Sequence, residues 1–138
     1  MTQKKTKLNV IVIDDSPLTH LVVEKAIETI DFAVLSAHCY NGEEFIDLVH
    51  NTKPDIAFID IEMTGIDGFT ALQTARKHYP ELKAIFLSQY ISNGFVKAAK
   101  NIGANGFLTK MPTVETIKDA LIKVINGEFA LDKSIEMD

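Results

Sequence analysis

The sequence predicts an open, doubly wound α/β domain with five β–α units around a parallel sheet. Three observations carry this. Five short runs are apolar at nearly every position, the pattern of strands covered on both faces. Stretches with apolar residues at helical spacing lie between them. The run starts are separated by roughly 22–28 residues, which suits right-handed crossover connections.

The elements follow in order. Leu8-Asn9-Val10-Ile11-Val12-Ile13 is the first strand and stops at Asp14-Asp15. Ser16 before Pro17 reads as an N-cap with proline in the first helical turn. Leu18, Leu21, Val22, Ala26 and Ile30 then form an apolar stripe. Residues 33–37 are a weaker second strand. Asn41-Gly42 opens a helix carrying Phe45, Ile46 and Val49. The third strand, 56–59, stops at Asp60, and Phe69, Leu72 and Ala75 mark the helix after it. The fourth, 84–87, stops at Ser88 and precedes a helix with Phe95, Ala98, Ala99 and Ile102. The fifth, 106–109, stops at Lys110, and Ile117, Leu121, Ile122, Val124 and Ile125 mark the last helix. Gly103 and Gly127 close helices, while Pro54 and Pro80 separate helix from strand.

Composition narrows the function. A chain of 138 residues suits one domain with one good core. Its net charge is −5 and it has one arginine, Arg76, so it lacks the clustered positive charge that nucleic acid binding needs. A hydrophobic share of 46% argues against disorder. A single cysteine, Cys39, excludes an internal disulfide and a cysteine-based zinc cluster. No apolar run approaches the roughly 18–20 residues of a membrane span. The basic start has no long apolar stretch or small-residue cleavage site, so no signal peptide is expected. A cytoplasmic domain is the expectation.

In an open parallel sheet, function gathers at the carboxyl ends of the strands. Here those ends carry Asp14, Asp15, Asp60, Ser88 and Lys110. Any one could be a cap or a turn residue, but four of five strands end this way. Carboxylates held together need a cation or a proton to coexist. Magnesium, with carboxylates, water and a phosphate group, is the natural candidate. Lys110 would add a point charge for a phosphate oxygen, and Ser88 a hydroxyl. The candidate nucleophile is a carboxylate, which can form an aspartyl phosphate.

At these residues the chain resembles the receiver domain of two-component response regulators. The matching pieces are VIVIDDSPLTH (10–20), PDIAFIDIEMTGIDGF (54–69), AIFLSQY (84–90) and GANGFLTK (103–110). The resemblance implies a flavodoxin-like, CheY-like (βα)5 fold with strand order 2-1-3-4-5. It divides the chain into a basic flexible tail (1–7), a receiver domain (8–127) and a C-terminal tail or start of a linker (128–138). It makes Asp60 the phosphoacceptor and Asp14 and Asp15 the acidic pair, with Asp15 the direct magnesium ligand. Glu62 would bind the metal through its backbone carbonyl. Ser88 and Phe107 would be the switch pair, and Lys110 the phosphoryl contact. A sensor histidine kinase or a phosphotransfer protein would be the donor. Phosphorylation would alter the face built from the fourth helix, fifth strand and fifth helix, with a homodimer as one outcome. No membrane contact and no direct nucleic acid contact by this domain is implied.

The chain departs from the family pattern twice. Thr64 stands where the loop after the phosphoacceptor usually has proline, a change expected to affect loop rigidity more than chemistry. Met111 intervenes between Lys110 and Pro112, so a trans Lys110–Met111 bond is expected, because a non-proline cis bond costs ~2.5–4 kcal/mol. Glu62 and Tyr90 sit at variable positions beside the site. His20, His38, His50 and His78 lack metal-ligand spacing, and Cys39 is expected to pack at the end of the second strand. Phe45, Phe58, Phe69 and Phe86 read as core.

Other classes remain to be weighed. Asp60-Ile61-Glu62-Met63-Thr64 is superficially similar to the nucleophile loop of haloacid-dehalogenase-type phosphatases, but that loop follows the first strand in those enzymes. A flavin binder would need a phosphate cradle, and the acidic, glycine-free loop at 14–17 would repel the phosphate. A receiver-like module that never takes phosphate would not need the full residue set. The segment 124–132 is similar to the end of receivers in LuxR/NarL-type transcriptional regulators. A stand-alone receiver acting through protein contacts is the other option.

Overall fold

The computed structural model describes residues 7–90 and 92–134. The basic tail therefore lies outside the described residues except for Lys7, as do the last four residues of the C-terminal tail. Elements alternate as β1 (Leu8–Ile13), α1 (Pro17–Glu28), β2 (Ala33–Cys39), α2 (Gly42–Thr52), β3 (Ile56–Asp60), α3 (Gly68–His78), β4 (Lys83–Ser88), α4 (Asn93–Asn101), β5 (Gly106–Thr109), α5 (Val114–Ile125) and β6 (Ala130–Leu131). The sheet is parallel throughout and runs β2-β1-β3-β4-β5-β6. Five strands stand in the expected order. The sixth corrects the five-strand expectation, since two residues are too few to show a periodic pattern.

Alternation along the strands divides the interior into two layers. Ile11, Ile13, Ala57, Ile59, Phe86 and Phe107 face one way and meet Phe45, Val49, Leu72, Ala75 and Val96 from α2, α3 and α4. Val10, Val12, Phe58, Ile85, Leu87 and Leu108 face the other way and meet Val23, Ile27, Ile117, Leu121 and Val124 from α1 and α5. Burial on both faces explains why these strands read as continuous apolar runs. On β2, Ser36 bulges out of register with β1, and every residue between Ala33 and Cys39 is exposed or half-buried. This is why the second run is the weakest.

The helix starts follow the expected chemistry with one exception. Asn41, Asp67, Ser92 and Thr113 accept from the backbone N–H three residues on. Ser16 occupies the N-cap of α1, but its hydroxyl makes no cap bond. Its N–H separately donates to Asp14 Oδ1 at 2.8 Å, a charge-assisted bond that ties the start of α1 to the end of β1. The lone arginine is structural: Arg76 donates to the carbonyls of Leu82, Ile102 and Gly103 and to Asn105 Oδ1, tying α3 to the turn before β5. The Lys110–Met111 peptide bond is cis, which overturns the trans expectation. That expectation used the intrinsic preference of an isolated bond and not the surroundings of the loop.

Candidate functional site

The register of the central strands assembles the site. Ile13 lies beside Ile59, Asp60 beside Leu87, and Ser88 beside Thr109. The residues that end β1, β3, β4 and β5 therefore share one rim. Asp14, Asp15 and Asp60 each offer a carboxylate oxygen, and these atoms lie within 4.8 Å of one another. Asp14 and Asp60 are buried, whereas Asp15 is exposed. Lys110 reaches in from the end of β5, with its Nζ 2.8 Å from Asp14 Oδ2 and 3.3 Å from Asp60 Oδ2.

Backbone groups fix the carboxylates. Glu62 N–H donates to Asp60 Oδ1 at 3.1 Å, while Ser16 N–H holds the other oxygen of Asp14. Gly68 is required where β3 leaves the sheet: a Cβ there would collide with the Asp60 carbonyl oxygen and lie 2.9 Å from Ile61 Cα. The absent side chain lets the start of α3 close over the end of β3, with Gly68 N–H donating to Ile61 O at 3.0 Å.

The electrostatics favour a bound cation. Burial, then the charge of Asp14, pushes the Asp60 carboxyl up to about 6, despite the opposing Lys110 ammonium and Glu62 N–H. Burial alone would lower the Lys110 pKa, but its hydrogen bond and charge contact with Asp14, joined by Asp60, raise it. Asp14 Oδ2 is buried without a neutral hydrogen-bond donor, and its contact is the Lys110 ammonium. Three carboxylates against one ammonium leave an excess of hard, anionic oxygen, the donor set that suits a divalent cation such as magnesium. Asp14, Asp15 and Asp60 are the residues that could hold it.

Ser88 is buried at the same rim, but its hydroxyl is turned to Tyr90, donating to the carbonyl at 2.8 Å and accepting from the N–H at 3.1 Å. Phe107 is fully buried in the layer under α2, α3 and α4. Glu62 and Tyr90 have exposed side chains beside the site.

Three contributors escaped the sequence reading. Thr64 donates to Asp15 Oδ2 through both its N–H (3.4 Å) and its hydroxyl (3.3 Å), two bonds that proline could not make. His20 is buried behind the site, and its Nε2–H donates to the Asp14 carbonyl at 2.7 Å. Burial lowers its pKa, and as a neutral ring it accepts at Nδ1 from His38 Nδ1–H, 2.8 Å away. His38 Nε2 in turn lies 3.2 Å from Glu24 Oε1. Asp132 accepts at 2.7 Å from the Thr109 hydroxyl, one residue before Lys110. The Thr64 substitution for proline was visible as a departure. Nothing in the sequence marked the other two.

Fold and site together define a doubly wound α/β domain with an acidic cluster at the carboxyl end of its sheet that could hold a cation. The family model of the response regulator receiver domain matches residues 10–122, and the chain belongs to that family. Among curated proteins it is similar to the response regulator protein VraR of Staphylococcus saprophyticus, 23% identical over 128 residues. It is also similar to a nitrate/nitrite response regulator protein homolog of Haemophilus influenzae, 27% identical over 130 residues. These alignments cover 93% and 94% of the chain but only 61% and 62% of those relatives. Among solved structures, the receiver domain of a NarL regulator from Mycobacterium tuberculosis aligns at a TM-score of 0.82 and 27% identity, covering 88% of this chain and 98% of that one. The isolated receiver of Salmonella enterica RcsB, solved with the phosphomimetic BeF3−, aligns at 0.84 and 21%, covering 93% and 95%, and supports the fold.

Proposed function

We propose that this chain is the phosphorylation-controlled switch of a two-component pathway, taking a phosphoryl group on Asp60 from a sensor histidine kinase or a phosphotransfer protein. The observation that carries the reading is the buried Asp60 carboxylate, flanked by Asp14 and by the Lys110 ammonium 3.3 Å away. An Asp60 oxygen attacks phosphorus, the donor's P–N bond breaks, and its electron pair stays on the departing imidazole. Lys110 neutralises charge on the phosphoryl oxygens. Bound magnesium, held by Asp14, Asp15, Asp60 and the Glu62 carbonyl, would supply further neutralisation.

Ser88 and Phe107 form the switch in this reading. The Ser88 hydroxyl leaves Tyr90 for the new phosphoryl oxygen, Phe107 follows, and the equilibrium at the α4–β5–α5 face shifts. Exposed Leu18, Tyr90, Met111 and Val114 follow the strand ends in sequence and offer apolar contact to a protein partner. The output we assign is transcription control through a further domain in a longer protein, with dimerisation of this one. RcsB dimers are seen bound to DNA in one neighbouring structure, and the charge of −5 makes this domain a poor DNA reader itself. The runner-up is a stand-alone receiver acting through protein contacts.

The test is incubation with acetyl phosphate or phosphoramidate and magnesium, read by intact mass. Wild type should gain one phosphoryl group and Asp60→Asn none. No gain in wild type, or equal labelling of the variant, overturns the reading. Turnover of p-nitrophenyl phosphate would point to a phosphatase instead.

A further inference from the structure

The segment after α5 is built into the sheet. Ala130 N–H donates to Asn105 O at 2.9 Å and Asp132 N–H to Phe107 O at 3.1 Å. The Asp132 carboxylate accepts four bonds: Thr109 N–H (3.1 Å) and hydroxyl (2.7 Å) at Oδ2, and Ser134 N–H and hydroxyl (both 2.9 Å) at Oδ1. Burial alone would raise its pKa, but these donors hold the carboxyl below the usual range. Ala130 seats against Gly106, where a Cβ would come 2.8 Å from the Ala130 carbonyl oxygen and 2.9 Å from its Cβ. Phe129 lies under the Lys100 ammonium of α4, 4.9 Å from it.

Thr109 and Lys110 are thus held from two sides. Thr109 is fastened outward to Asp132. Lys110 is fastened inward, its N–H to Ser88 O at 2.9 Å and its Nζ to Asp14 and Asp60. We infer that residues 128–134 form a strap whose docking on β5 opposes loading of Asp60, so that loading loosens the strap and loosening the strap favours loading. This rests on the phosphoacceptor reading above. A new anion on Asp60 draws the Lys110 ammonium and the Ser88 hydroxyl inward, towards β3 and away from β6. The Thr109–Asp132 bonds lengthen under that displacement. Linkage requires the effect to be reciprocal.

The experiment uses the intact chain with beryllofluoride and magnesium, loading being read by fluorine NMR and, with acetyl phosphate, by mass. Amide exchange at Ala130 and Asp132 should quicken about fivefold or more on loading, within the usual range for coupled sites. Asp132→Ala and Gly106→Ala, which loosen the strap from different sides, should each bind beryllofluoride about fivefold more tightly. Exchange that stays constant or slows in a loaded protein overturns the strap alone. So does unchanged or weaker binding in both variants. Failure of wild type to load with either reagent overturns the phosphoacceptor reading and the strap with it.

Discussion

Asp60 is held in an environment that its own charge disfavours. Its pKa in the folded chain is raised to about 6, against roughly 3.9 in the unfolded chain. Its ionisation therefore opposes folding at neutral pH. The penalty is full above pH 6 and vanishes as pH falls below the unfolded value. Without magnesium, Asp60→Asn should raise stability at pH 7.5 by about 1–3 kcal/mol in urea titrations, and by nothing near pH 3.5. Equal stability of the two proteins at pH 7.5 would contradict this. The carboxylates, Ser88 and Lys110 were legible in the sequence because each terminates an apolar run and the parallel sheet aligns such ends. Thr64, His20 and Asp132 were not, because their partners are set by loop paths and by contacts between distant segments. The Thr64–Asp15 contact, for example, spans 49 positions.

At the scale of elements, caps and glycines decide where chains turn. Asp67 accepts from Thr70 N–H at 2.7 Å and starts α3 next to Asp60. Asp67→Ala should cost about 0.5–2 kcal/mol, measured by thermal or urea unfolding. A cost below 0.3 kcal/mol would show that the cap adds little here. The five main strands and five helices were legible from periodicity, with ends misplaced by a residue or two, as at β2 and β4. The short β6 was not, because its place depends on Gly106 lacking a side chain and on Asp132 finding Thr109. Ser16 shows the converse: its N-cap position was legible, but its hydroxyl makes no cap bond and its N–H binds Asp14 Oδ1.

For the whole molecule, an ion held at the acidic rim would couple its binding to folding. A cation that binds the native site alone adds about 2.7 kcal/mol at a hundredfold excess over its Kd. Magnesium should therefore raise the Tm of wild type by several degrees, and raise that of Asp15→Ala much less. Equal shifts would place the ion elsewhere. The overall layout was the most legible level, because strands apolar on both faces have few ways to be covered. Among the described residues, no helix is long and apolar enough to cross a membrane.

The division of the interior into two layers has a mechanical consequence. Phe107 belongs to the layer beneath α2, α3 and α4, whereas Leu108, the next residue along β5, belongs to the layer beneath α1 and α5. A strand with neighbouring residues anchored in separate compartments works like a bar bolted to two posts. Motion at Phe107 is felt in the first compartment, and motion at Leu108 in the second, where Ala130 also packs. A disturbance of β5 at the rim thus reaches both compartments, through side chains one residue apart.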